Sequence, residues 1–576
     1  MSKNFRSAEW FSGRPELAFQ HRSALRSMGI DPSQYAGRPV IGIANSWSEL
    51  NNCNMNLREL ADAVKRGVLA AGGLPLEFPT ISLGEEFMKP SAMLYRNLMA
   101  MDVEETLRSN PVDGVVLLCN CDKTTPAQLM AAASADLPAI QLNGGPRDVG
   151  HWRGQPVGSG TDIWRYWDDV RTGKISREEW DDLESCIACS VGACNTMGTA
   201  STMTALSEAL GMMLPGTSSI PANDSRRVAA AEATGRRIVG MVEEELRPSQ
   251  ILTLAAFDNA IRTLLALGGS TNAVVHLIAI AGRRNITLPL SRFDELARTT
   301  PFLVNLSPSG QFLMDRFHAA GGLPAVLAEL RDLLRLDCAT VTGRTLGENV
   351  EQAQCFDRDV IRDRSDPLTA EGSLAVVRGN LAPEGAVIKT SAASAALLKH
   401  RGRAIVFHNY KDMLDRIDDP NLPADADSVL VLQNAGPIGV PGFPEWGMIP
   451  VPKKLLEQGV TDLVRISDSR MSGTSFGTVV LHVSPEAAAG GTLCLIKDGD
   501  WIELDVSSRS LVLDVGDEEL KRRRDAWNPP ARKHLRGYPR LYVEHVLQAH
   551  EGCDFDFLRP RSDEELRFVP PVVGRS

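Results

Sequence analysis

The stretch DGVVLLCNCDKTTPAQLMAAASADLPAIQLNGG, Asp113 to Gly145, decides the fold class. DGVVLLCN (Asp113 to Asn120) is a β-branched apolar run without polar alternation, the pattern of a strand buried on both faces. TPAQLMAAASADLP follows as a helix with Pro126 early in its first turn, where no N–H is needed. PAIQLNGG is the next strand. Strand, helix, strand in this rhythm requires a parallel sheet covered by helices. Upstream, RPVIGIAN (Arg38 to Asn45) reads as another buried strand, and NLRELADAVKRGVLAAGG (Asn56 to Gly73) as an amphipathic helix closed by glycine. The N-terminal part is therefore expected to be α/β with a doubly wound parallel sheet. Ligands in such sheets bind beyond the carboxyl ends of the strands, and CNCDK sits at such an end.

Downstream, TASTMTALSEALGMMLPG and FDNAIRTLLALGGSTNAVVHLIAIAG read as buried helices rich in small residues. Near Asp366 the texture changes. GSLAVVRGN, GAVIKTS, GRAIVFHN, DSVLVLQNAG, TDLVRISD, GTVVLHVS, GTLCLIKDGDWIELDV and RSLVLDV follow in close order. Short strands separated by Gly, Asn and Asp predict a C-terminal β-barrel-like domain. The boundary is expected between Arg364 and Ser373, giving domains 1–368 and 369–576. The tail after Asp525, rich in Arg and Pro, is expected to wrap the surface.

A chain of 576 residues is too long for one core, in keeping with two domains. Hydrophobic residues make up 43% and charged residues 23%, an ordinary globular balance. A net charge of -11 argues against nucleic acid or an anionic membrane as partner, because both call for basic patches. MSKNFRSAEW carries no apolar signal core, and no run is long enough to span a bilayer, so a cytoplasmic protein is expected. Thiols stay reduced there, and the ten cysteines are not expected to form a disulfide framework.

Three cysteine sites stand out: Cys53 in NNCNMN, Cys119 and Cys121 in CNCDK, and Cys186, Cys189 and Cys194 in CIACSVGACNTMG. Each one alone reads first as a small buried residue. Cys186-x-x-Cys189 has the spacing of half a zinc site but lacks a second pair. An iron–sulfur cluster is the other use of scattered cysteines in a reducing compartment. Glu85 and Glu86 in SLGEEFMKP, Asp122 beside Lys123, and Glu445 in GVPGFPEWG read either as solvated loop charges or as carboxylates converging on a hard cation such as Mg²⁺. SDSRMSGTSFG, Ser467 to Gly477, is either a flexible turn or a backbone nest for an oxyanion.

Taken together, NNCN, CNCDKTTPA, GACNTMGTASTM, GGSTNAVVHL, GNLAPEGAVIK, NAGPIGVPGFPE and SDSRMSGTSFG resemble, in order and over nearly the whole chain, the dihydroxy-acid and sugar-acid dehydratase family (IlvD/EDD). The resemblance implies an N-terminal α/β domain and a C-terminal β-barrel domain. It implies that Cys53, Cys121 and Cys194 hold an iron–sulfur cluster, 2Fe–2S rather than 4Fe–4S, and returns Cys119, Cys186 and Cys189 to the core-thiol reading. Glu85, Asp122 and Glu445 match the Mg²⁺ ligands, and Lys123 matches a lysine that is carbamylated in family members. Ser472 matches the proposed catalytic base, and Thr474 lies where a substrate carboxylate contact is expected. On this resemblance CNCDK makes sense: a soft thiolate for iron stands next to hard oxygen ligands for Mg²⁺. The implied reaction is loss of water from a 2,3-dihydroxy acid to give a 2-keto-3-deoxy acid, with no net redox change.

SLGEEFMKPSAM stands where branched-chain enzymes of the family read like SDGIAMGHEGM, GACNTMGTASTM where they read like GACGGMYTANTM, and DSRMSGT where they read like DGRFSGG. On these counts the chain resembles the sugar-acid branch, such as arabinonate and xylonate dehydratases. Glu85 in place of the more common Asp lengthens one metal ligand by a methylene. The alternatives are a dihydroxy-acid dehydratase of branched-chain biosynthesis and a non-catalytic iron–sulfur sensor, which would need neither Ser472, Lys123 nor Glu445. The resemblance also implies a homo-oligomer, dimer or tetramer.

Overall fold

The computed structural model of the protein describes residues 5–531 and 536–574. Four strands form the first sheet: β1 (Val40–Asn45), β2 (Leu74–Pro79), β3 (Gly114–Cys119) and β4 (Ala139–Asn143). Their order is β2-β1-β3-β4, and every pairing is parallel. β1, β3 and β4 are buried at every residue, so β3 reads as an unbroken apolar run, while β4 buries Gln141 and Asn143 by hydrogen-bonding them to Thr125 O and Ser218 O. The connecting helices include Leu57–Ala70, Arg96–Ser109 and Thr124–Ala135. Parallel strands put all four carboxyl ends on one edge. The loops leaving that edge carry Cys53, Glu85, Cys121 to Lys123, and Arg147.

A hairpin, β5 (Gly150–Trp152) and β6 (Gln155–Val157), leads into a strap of two helices, Thr161–Arg171 and Arg177–Ile187. The predicted buried helices follow as Thr199–Ala209, Leu254–Leu267 and Asn272–Gly282. The long apolar run Phe257 to Gly282 is thus two helices, broken where Gly268 takes a φ of 67°.

All eight C-terminal segments named above contain strands: β7 (Ala375–Val377), β8 (Gly385–Ile388), β9 (Lys399–Phe407), β10 (Val429–Leu432), β11 (Val464–Ser467), β12 (Val479–Ser484), β13 (Trp501–Asp505) and β14 (Ser510–Asp514). They form one sheet in the order β14-β13-β9-β10-β11-β12-β8-β7. Its two ends meet: Arg378 N donates to Arg509 O at 2.9 Å, and Leu511 N to Arg378 O at 2.8 Å. The result is a nearly closed barrel filled by Val377, Ile388, Val406, Val431, Ile466, Val480 and their neighbours. In GTLCLIKDGDWIELDV only the second half is strand, since Thr492–Leu495 is a 3₁₀ turn.

The expectation for the tail is corrected. Beyond residue 535 it forms the helix Tyr538–His545, and Tyr542, Cys553, Asp554 and Phe555 are fully buried. Asp554 meets Arg283 in a two-pronged ion pair, 2.6 Å from Nε and 3.0 Å from NH2, so this segment is clamped into the N-terminal part. No helix among the described residues is long and apolar enough to cross a membrane.

Candidate active site

Between the sheet edge, the strap and the barrel lies a cavity of about 810 Å³. Cys53, Glu85, Cys121, Asp122, Cys194, Glu445, Ser472 and Thr474 all line it. Lys123, fully buried, touches the carboxylates from behind. The nine residues singled out in the sequence are thus together, although they come from six separate segments. Cys119 points into the core instead, accepts from Gln141 Nε2 at 3.1 Å, and burial pushes its thiol up to about 12. Cys186 is half-buried and Cys189 exposed, and neither lines the cavity.

The loops after β1 and β3 are stitched by asparagines. Asn120 Nδ2 donates to Cys53 O at 2.7 Å, and Cys121 N donates to Asn54 Oδ1 at 3.1 Å. Each asparagine flanking one cysteine thus holds the backbone of the other. The Cys53 thiol is held well above its ordinary range, first by its hydrogen bond with Cys121, then by burial and the fields of Cys121 and Cys194. Burial raises Cys194 to about 11 against the pull of the Arg147 guanidinium. Three thiols, two buried and Cys194 half-buried, thus face one cavity in a region that raises Cys53 and Cys194, and a set of thiol sulfurs of this kind fits an iron–sulfur cluster.

Lys123 Nζ lies 3.3 Å from Glu85 Oε2, 3.3 Å from Glu445 Oε1 and 3.4 Å from Asp122 Oδ2. Burial pulls the ammonium down, but the three carboxylates outweigh it and its pKa ends raised. One ammonium cannot compensate three acids equally. Burial raises Asp122 to about 6 despite Lys123, with Glu445 and Glu85 adding to the rise. Glu445 is buried too, yet Lys123 and Arg470 hold it below the ordinary carboxylate range. Among the described residues no group of three or more His, Cys, Asp and Glu is placed to hold a metal ion, and Lys123 Nζ lies between the three acids. Even so, Glu85 Oε2 is buried without a hydrogen-bond donor, and the set is all oxygen, as a hard cation requires.

Ser472 and Thr474 leave the carboxyl end of β11. Their hydroxyls are 2.9 Å apart, and Thr474 N donates to Ser472 Oγ at 3.3 Å. The loop is wedged from two sides. A Cβ on Gly473 would lie 2.4 Å from Thr199 N, so the N-terminus of the helix Thr199–Ala209 abuts the serine loop and offers it the positive end of a helix dipole. On the other side, Thr161 Oγ1 of the strap donates to Thr474 O at 2.8 Å. Trp164 and Trp167 of the strap line the outer cavity, as does Trp446, which stacks on Tyr410 at 4.3 Å.

Sequence reasoning missed the supporting residues. Arg470 lies inside the serine motif and donates to Glu445 Oε1 at 2.7 Å, and Asn272 of GGSTN donates to the same oxygen at 2.7 Å. The signal was present, since a basic and an amide side chain inside apolar, small-residue motifs need buried acceptors.

Comparison with known proteins covers nearly the whole chain. The N-terminal model of the dihydroxy-acid/6-phosphogluconate dehydratases matches residues 38–349, and the C-terminal model residues 359–553. An L-arabonate dehydratase of Azospirillum brasilense is 53% identical over 562 residues, 96% of each chain. A 6-deoxy-6-sulfo-D-gluconate dehydratase of Pseudomonas putida is 49% identical over 97% of each chain. A dihydroxy-acid dehydratase of Ignicoccus hospitalis is 41% identical, over 94% of this chain and 99% of its own. With both halves matched by family models and relatives aligned end to end, the chain belongs to the dihydroxy-acid/6-phosphogluconate dehydratase family.

Proposed function

We propose that the protein is a hydro-lyase that dehydrates a sugar acid, an aldonate such as L-arabinonate or D-xylonate, to its 2-keto-3-deoxy acid. One observation carries the reading: three thiols, three carboxylates and the Ser472 hydroxyl line one cavity, contributed by both halves of the chain. Sugar-acid relatives near 50% identity, against 41% for the dihydroxy-acid dehydratase, support the substrate class.

The difficulty of the reaction is a weakly acidic C2 proton and a poor hydroxide leaving group at C3. Bound at Cys53, Cys121 and Cys194, a 2Fe–2S cluster would supply a Lewis acid for the C3 hydroxyl, and Mg²⁺ at Glu85, Asp122, Lys123 and Glu445 a counter-charge for the carboxylate and C2 oxygen. With Lys123 as a carbamate, a unit negative charge and a divalent cation together replace the single positive charge of the ammonium. The carboxylates then face the same total charge as in the structure. Ser472 removes the C2 proton, its alkoxide favoured by the N-terminus of the helix Thr199–Ala209 and by the hydrogen bond from Thr474 N, which leaves the Thr474 hydroxyl hydrogen free. Thr474 orients Ser472 and presents its hydroxyl to the substrate carboxylate. The aromatic outer wall excludes water and packs the distal carbons. The C2 proton leaves with Ser472, hydroxide leaves C3, and the enol formed tautomerises to the keto acid.

The test is a panel of five- and six-carbon aldonates and branched 2,3-dihydroxy acids, scored for keto-acid formation by anaerobically purified protein containing iron and Mg²⁺. Turnover of an aldonate at least tenfold above any branched acid is expected. Turnover of branched acids alone would move the protein to the amino-acid branch, and no turnover of either would remove the dehydratase reading.

A further inference from the structure

Arg470 is fully buried and extends three arms. Nε donates to Phe443 O at 2.6 Å, NH1 to Glu445 Oε1 at 2.7 Å, and NH2 to Ser91 Oγ at 2.9 Å. Ser91 stands in SLGEEFMKPSAM, the stretch that also carries Glu85 and sets this chain apart from the branched-chain pattern. Its hydroxyl also accepts from Met93 N at 3.1 Å and lies 3.1 Å from Glu85 Oε1. A serine hydroxyl has one hydrogen and two lone pairs, while guanidinium and amide can only donate. Arg470 and Met93 therefore occupy both lone pairs, and the Ser91 hydrogen has one place to go, Glu85 Oε1. The direction of the relay is fixed: Arg470 to Ser91, Ser91 to Glu85.

That relay divides the two oxygens of Glu85. Oε1 is taken by Ser91, while Oε2 is buried, has no hydrogen-bond donor, and faces Lys123 Nζ at 3.3 Å. The same guanidinium fixes Glu445, which Asn272 also holds. One buried cation thus orients a carboxylate from each half of the chain.

We propose that Arg470 and Ser91 form a clasp in which Ser91 is a positioning residue, directing Glu85 Oε2 at the divalent cation of the site. The proposal rests on the cation reading above and goes beyond it by giving the longer glutamate arm its own director. A glutamate has one more rotatable bond than an aspartate, and a hydroxyl donor on one oxygen removes that freedom. An electrostatic role alone would predict the reverse of the clasp for Arg470, since a positive charge near a cation site weakens binding.

The experiment titrates the anaerobic, iron-loaded protein with Mn²⁺ and follows loss of the free-ion EPR signal. Wild type, Ser91→Ala, Ser91→Cys and Ser91→Thr are compared, with iron content and circular dichroism recorded for each. Loss of an outer partner of a metal ligand typically weakens affinity by about 10–100-fold, and that is expected for Ser91→Ala at unchanged iron content. Ser91→Thr, which keeps the hydroxyl, is expected to bind as wild type. Ser91→Cys keeps the volume with a weak donor and is expected to fall between, so it carries the test should Ser91→Ala not fold. Equal Mn²⁺ affinity in wild type, Ser91→Ala and Ser91→Cys overturns the clasp and leaves the cation site standing. A wild type that binds no Mn²⁺, with iron present, overturns the cation reading and the clasp with it.

Discussion

Gly160→Ala tests how closely the strap holds the serine loop. Gly160 caps the helix Thr161–Arg171 with φ 87° and ψ -62°, a conformation that side chains rarely adopt. A Cβ there would lie 2.4 Å from Thr474 Oγ1, 2.6 Å from its Cβ and 2.7 Å from its Cγ2. Non-bonded carbons rest at about 3.5–4.0 Å, so one side must retreat by about 1 Å. The backbone strain costs about 1–3 kcal/mol. Overpacking adds about 1–3 kcal/mol if nothing moves. The bond from Thr161 to Thr474 O ties the strap to the loop, so the loop moves with it. A displacement of about 1 Å at reacting groups costs about 10²-fold in rate, and that fall in kcat is expected for Gly160→Ala.

Strain and contact separate with a control in the hairpin that precedes the strap. Gly154 also has a positive φ, 79°, but a Cβ there meets nothing within 4 Å. Gly154→Ala should lower the melting temperature and leave kcat unchanged, whereas Gly160→Ala should lower both. Exchange of the substrate C2 proton in deuterated water should slow with kcat in Gly160→Ala, because Thr474 orients Ser472. A Gly160→Ala enzyme turning over at the wild-type rate would refute the wedge.

Two further outcomes are expected. Cys194→Ser should lose iron and Cys189→Ser should keep it, measured by iron content and visible absorption of the anaerobic protein; the opposite result would mean the cluster residues are wrongly chosen. Glu486 is buried beside Asp468, and burial pushes its carboxyl up to about 7 from an ordinary 4.5, so the folded chain holds this proton more tightly than the unfolded one. That stabilisation is complete below pH 4.5 and is lost as pH rises through about 7, so wild type should lose about 3 kcal/mol relative to Glu486→Gln between those limits, read by denaturant unfolding at a series of pH values; a pH-independent difference would count against it.

What was legible in the sequence is what is written locally. β3 showed itself most clearly because burial on both faces leaves an unbroken apolar run, and β1 carries its one polar residue, Asn45, at its end. The eight barrel strands showed themselves through the Gly, Asn and Asp that bound them. The barrel's closure did not, because it rests on backbone bonds of Arg378 to Arg509 and Leu511, which no side-chain pattern encodes. The buried tail was misjudged for a related reason. Its Arg and Pro content describes the surface part, while Asp554 and Phe555 are buried by partners that lie hundreds of residues away, such as Arg283.

The site shows the same division and adds a reason for it. CNCDK and SDSRMSGTSFG could be read as chemistry because each packs reactive groups into a few residues. The supports could not, because Arg470 and Ser91 are 379 residues apart and Asn272 and Glu445 173 apart. The N-terminal half alone holds an unbalanced set of charges, two acids on one ammonium, while Glu445 and Arg470 pair within the C-terminal half. The N-terminal half brings Glu85, Asp122 and Lys123, and the C-terminal half brings Glu445 and Arg470. Glu445 is stabilised by Lys123 across the divide, and Arg470 reaches back through Ser91 to Glu85. Burying any of these without its partner would leave an unpaired charge in a water-poor cavity, which is strongly unfavourable. The full set of three acids around one ammonium is complete only with both halves in place, and Arg470 and Asn272, which orient the carboxylates, each reach across the divide.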